Sequence, residues 1–168
     1  PLYRMQSTEK VRRLAQLLVS SVESAQDRYW SRGAMEILFI LLSVLQRVPI
    51  SYRHLANLRF LLESLLYEQE GVLRLLVRIY PGIQHKLSSF FGREAKSYAS
   101  FISVALTALE AFDNDYLSYL TLQESLHFES LRREKTALFL CINEMQLEQY
   151  ALFTQLFFDQ LFTFLLQN

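Results

Sequence analysis

The residues able to do chemistry are few and far apart. The three histidines, His54, His85 and His127, and the one cysteine, Cys141, do not stand at metal-ligand spacing to one another. No HExxH run occurs. Cys141 has no base beside it in sequence and lies inside an uncharged run, 136–142, so it reads as a buried thiol rather than a nucleophile. The histidines read as surface or hydrogen-bonded structural groups. Glu144 and Glu148, one helical turn apart, have the spacing of a carboxylate pair, although acidic charge at a helix N-terminus accounts for them as well. Arg74 and Arg78, also a turn apart, could grip a phosphate backbone or simply solvate a helix. The four glycines, at 33, 71, 82 and 92, are too dispersed for a phosphate-cradling loop. No catalytic, cofactor-binding or metal-binding set emerges, and an enzyme is not expected from these residues.

Two charged sets remain as binding candidates. The stretch 110–131 contains no Lys or Arg, and offers Asp113, Asp115, Glu124 and Glu129 around a turn, an acidic arrangement suited to a basic partner. Lys10, Arg13, Arg28 and Arg32 form an N-terminal basic set suited to DNA or an acidic partner. Solvated helix faces explain either set equally well. Seventeen basic and seventeen acidic residues balance overall, but residues 1–60 hold nine Lys/Arg against four Asp/Glu, and residues 61–168 hold eight against thirteen.

The elements that would carry these groups are mostly helical. Half the residues are apolar, while Gly and Pro number only four and three, which favours long helices over a sandwich or barrel. Ser7 or Thr8 can cap a helix reaching about Val22, with Val11, Leu14, Leu17, Leu18 and Val22 inward. Asp27 can cap a second, running to Arg47, on which Arg28, Arg32, Glu36 and Ser43 make a narrow polar stripe. A helix so apolar elsewhere belongs in the middle of a bundle. A third helix starts at Ser51, Gly71 marks a break, and a short helix ends before Pro81. A strong helix follows over 94–112, with Trp30 expected to pack against it in the core. Residues 126–131 read as an extended connector. The run 136–142 has the length and flanks of a strand buried on both faces, and an apolar helix closes the chain. The expected architecture is mainly α: a bundle of about six to seven helices over 1–134, then one strand-like segment (136–142) and a helix over 135–168. No signal peptide is visible, and no apolar stretch has the roughly twenty unbroken residues of a membrane span.

Three stretches together resemble the TraG/TraD family of coupling-protein ATPases of type IV secretion systems. DRYWSRGAMEILFILLSVL (27–45) is similar to the helix opening that family's all-α domain, through Tyr29, Trp30, Ala34, Leu38, Leu41 and Leu42. SFISVALTALEAFDNDYL (100–117) resembles a late helix of that domain, through Ser100, Leu109, Phe112 and Asp113. TALFLCINEMQLEQYALFTQLFFDQL (136–161) resembles the return into the nucleotide-binding domain, through Leu156, Phe157, Gln160 and Leu161. Asn143 departs from the family's usual Pro at the strand exit, and 48–99 match least.

The resemblance implies an all-α domain inserted in a RecA-like ATPase, with 135–168 as a piece of the adjoining sheet domain. It implies ATP and Mg²⁺ for the full-length protein, with none bound by this fragment, which is expected to be inactive as an ATPase alone and to be a monomer or weak dimer. It also implies a homohexameric motor at the cytoplasmic face of the bacterial inner membrane. The first functional expectation is a substrate-receptor and regulatory domain that meets protein or nucleoprotein cargo, with an adaptor protein as a further partner. A DNA-contacting module of a conjugation motor, and a free-standing helical adaptor or chaperone, are the alternatives.

Overall fold

Residues 7–20, 28–113, 117, 119 and 128–166 are described by the structure, a computed structural model. The chain divides into two compact units, Pro1–Leu122 and Gln123–Asn168. Eight α-helices and no strand occur among the described residues, so the expected mainly-α class holds.

The first unit contains α1 (Thr8–Ser20), α2 (Arg28–Leu45), α3 (Leu55–Tyr67), α4 (Gln69–Ile79), α5 (Gln84–Phe91) and α6 (Ala95–Ala108). Ser7 caps α1, its Oγ accepting from the Lys10 amide at 3.2 Å. α2 is the central helix: α1, α3, α4, α5 and α6 all pack on it, and most of its residues are buried. Gly33 brings α6 close, because a Cβ there would run into the Phe101 ring. That ring is 1 % exposed and touches Tyr29, Trp30 and Phe90 at centroid distances of 5.3, 5.6 and 5.9 Å. Trp30 does lean on α6, but it is 36 % exposed and lies at the rim. Phe101, seated over Gly33, fills the central place that Trp30 was expected to take.

Several helix boundaries differ from the sequence reading. The third helix begins at Leu55, not Ser51, because Ile50–Tyr52 closes first as a 3-10 turn after Pro49. His54 then caps α3, with Nδ1 accepting from the Asn57 amide at 3.2 Å. Burial of that imidazole pushes its pKa below the ordinary value. The break expected at Gly71 falls at Glu68 instead, whose amide closes α3 on the Ser64 carbonyl and whose own carbonyl opens α4. Gly71 is therefore inside α4. α6 stops at Ala108, and the chain tightens into the 3-10 turn Glu110–Asp113, which buries Phe112.

The second unit contains α7 (Ser130–Arg133) and α8 (Leu147–Leu166). The described end of the expected connector, 128–131, turns into α7 rather than running extended. Arg132 of α7 donates to the Phe164 and Leu165 carbonyls at 2.6 and 2.8 Å, satisfying the last turn of α8. Phe128 is buried and meets the Phe157 and Phe164 rings. Between the helices, 136–142 forms no ladder. Leu138, Leu140 and Cys141 are exposed, and Phe139 is 82 % exposed. The expected buried strand and buried thiol are thus both corrected. A strand buried on two faces needs neighbours on both edges, and the described residues supply none.

Candidate nucleic-acid interface

The polar stripe of α2 runs along one side of the central helix. Arg28, Arg32, Glu36, Phe39 and Ser43 recur every three or four residues, so they line one face. The row is tied together at its end: the Ser43 hydroxyl donates to the Phe39 carbonyl at 2.7 Å, and Arg47 Nη1 donates to the Ser43 carbonyl at 2.7 Å. At 1.5 Å per residue the row from Arg28 to Arg47 extends about 28 Å.

Neighbouring helices add cations to it. The Arg12 guanidinium from α1 lies 5.6 Å from the centroid of the half-buried Phe39 ring, and Lys86 Nζ from α5 lies 4.5 Å from the same centroid. Arg47 stacks on Tyr80 at 3.4 Å. The one carboxylate in the row, Glu36, is bound by Arg93 Nη2 at 2.7 Å. No Asp or Glu occurs between Glu36 and Glu63, or between Glu70 and Glu94. Among the described residues Arg12, Arg28, Arg32, Arg47 and Lys86 make no ion pair, and all five are exposed. The result is a strip of five solvent-facing cations, and the one carboxylate of the α2 row is already held by Arg93, an arrangement that attracts anions.

A family model described as type IV secretory system conjugative DNA transfer matches residues 3–168. The chain belongs to that family. No curated protein and no solved structure matches it.

The structure brings together part of the basic set singled out in the sequence. Arg28 and Arg32 head the strip. Lys10 is half-buried on α1 and, two residues from Arg12, does not share its face. Arg13 is exposed beside Arg12. Of the acidic set, Asp113 accepts from Arg59 at 3.0 Å, and the same guanidinium holds Glu63 at 2.9 Å. Glu129 is exposed in the second unit, while Asp115 and Glu124 fall outside the described residues. Arg74 and Arg78 are exposed on α4, and Glu144 and Glu148 are exposed at the start of the second unit's long helix. His85 is exposed, and His127 lies outside the described residues.

Sequence reasoning missed Arg12, Lys86, Arg47 and the rings beneath them. One signal was available: the two acid-free windows, 37–62 and 71–93, which the fold places on and beside α2. The four glycines stand in separate places with no positive φ, and no group of three ligating side chains occurs among the described residues.

Among the described residues no helix is long and apolar enough to cross a membrane.

Proposed function

We propose that the chain is a cargo-receiving domain of a type IV coupling protein, and that it meets nucleoprotein cargo through the basic strip on α2. The observation that carries this reading is the strip itself: Arg28 and Arg32 on one face of α2, with Arg47 just past its end and Arg12 and Lys86 joining from α1 and α5, all exposed and without an ion pair among the described residues, in a protein of the conjugative DNA transfer family. In this reading the domain does no chemistry of its own. It holds cargo for a hexameric motor at the inner membrane, and ATP and Mg²⁺ belong to the sheet domain that the family resemblance implies.

Titration of labelled DNA at several salt concentrations tests it. Each cation that neutralises a phosphate contributes a slope of about −0.9 in log K against log salt on duplex DNA. Affinity should therefore fall steeply with salt, with a slope of roughly −3 to −5. The absence of DNA binding at low salt, with the protein folded, would sink the proposal.

A further inference from the structure

Three of the strip's cations do not sit on freely moving stems. Arg12 and Lys86 share the Phe39 ring, at 5.6 and 4.5 Å from its centroid. Arg47 is held twice, by Tyr80 at 3.4 Å and by the Ser43 carbonyl at 2.7 Å. A long basic side chain loses rotamer freedom when it docks on a partner. An aromatic ring that already attracts the cation reduces that loss before the partner arrives. The same arrangement occupies the rings. A base could stack on Phe39 or Tyr80 only by displacing a cation that the phosphates need.

The geometry points to Phe39 and Tyr80 as positioning residues that hold Arg12, Lys86 and Arg47 in place for a nucleic-acid phosphate backbone, so that the strip reads phosphates and not bases. This rests on the proposed reading of the strip as the nucleoprotein-contact surface, and adds to it how contact is made and what part of the nucleic acid is recognised. Neither ring carries charge. Removing them therefore lowers affinity while leaving the number of released counterions unchanged, whereas removing the cations lowers both.

The experiment uses the 168-residue chain and two probes, a mixed-sequence duplex of about 20 base pairs and one of its strands, titrated between about 50 and 200 mM salt. Phe39→Leu with Tyr80→Leu should weaken binding of both probes by roughly threefold to tenfold per released side chain, with an unchanged salt slope. Phe39→Tyr, which keeps a ring, should restore the Phe39 share. Arg12→Gln, Lys86→Gln and Arg47→Gln together should weaken binding and flatten the duplex slope by nearly three units. If this triple variant binds both probes unchanged, the reading of the strip falls and the inference with it. If the triple variant loses affinity while the Phe39/Tyr80 variant keeps its duplex affinity, the inference alone is overturned. A loss confined to the single strand also overturns it, because the rings would then be stacking bases. Should the double variant fail to fold, Tyr80→Leu alone gives the same readout through Arg47.

Discussion

The middle of α2 and the run 136–142 are both written in uncharged, mainly apolar residues, yet they meet opposite fates. Ile37, Leu38, Ile40 and Leu41 have no exposed surface, while Phe139 is 82 % exposed and its neighbours are open to solvent. Their composition does not separate them; their surroundings do. α2 is ringed by five helices of its own unit, so the apolar side chains at its middle find partners. The run 136–142 has no ladder among the described residues. Apolar sequence records a demand for burial, and the neighbours decide whether it is met.

The sharpest way to break that contrast is to empty the centre of the α2–α6 contact. Phe101→Ala should destabilise the protein by about 3–5 kcal/mol in a denaturant melt, the usual range for truncating a buried aromatic. Trp30→Ala should cost clearly less, because a third of the indole is already in water. Equal losses for the two variants would mean that Trp30, not Phe101, is the central aromatic.

Gly33→Ala probes the same contact from the other side. Alanine favours a helix by up to about 1 kcal/mol over glycine, so a stabilised variant would mean that α2 and α6 stand further apart than the Gly33–Phe101 contact requires. Because the new Cβ meets the buried Phe101 ring, net destabilisation of about 1–3 kcal/mol is expected instead.

What was legible in the sequence follows the same division. Helical period correctly assigns Val11, Leu14 and Leu18 to the core and Arg28, Arg32 and Glu36 to the open face, because a period of 3.6 is a local property. Helix breaks are misread where a non-glycine residue makes them. Glu68 ends one helix and begins the next, and His54 caps through its ring nitrogen, a role usually filled by Ser, Thr, Asp or Asn. The strip was half legible. Arg28 and Arg32 lie on one element, but Arg12 and Lys86 come from two others and meet only over Phe39. No spacing rule joins residues on separate helices. Cys141 misleads for the same reason as the run around it: an uncharged context implies burial that the described residues do not provide.

The His54 cap gives a smaller, pH-dependent effect. Its Nδ1 accepts a hydrogen bond only when unprotonated, and burial lowers its folded pKa from the ordinary value of 6.5. The unfolded chain therefore binds the proton more readily. The contribution of the cap is complete above pH 6.5 and is lost as pH falls from there through the lower folded value. His54→Ala should cost on the order of 1 kcal/mol at about pH 7.5. His54→Asn, which can cap without titrating, should keep most of that stability and remove its share of the pH dependence between about pH 7.5 and 5.5. If the Asn variant shows the same pH dependence as the unsubstituted protein, carboxylates rather than His54 govern acid stability.

The least effect is expected where the apolar residue is most exposed. Phe139→Ser removes a large ring, and in a buried strand such a change would cost several kcal/mol. Here the ring already faces water, so the melt should move by no more than about 0.5 kcal/mol. The backbone of the run also forms no ladder, and exposed β-prone residues with free edge groups favour pairing with another chain. Sedimentation at increasing protein concentration separates the two consequences. The unsubstituted chain should self-associate weakly, and Phe139→Ser should reduce that association without altering the folded monomer. A destabilised monomer would instead mean that Phe139 is covered within its own chain, and the contrast with α2 would disappear.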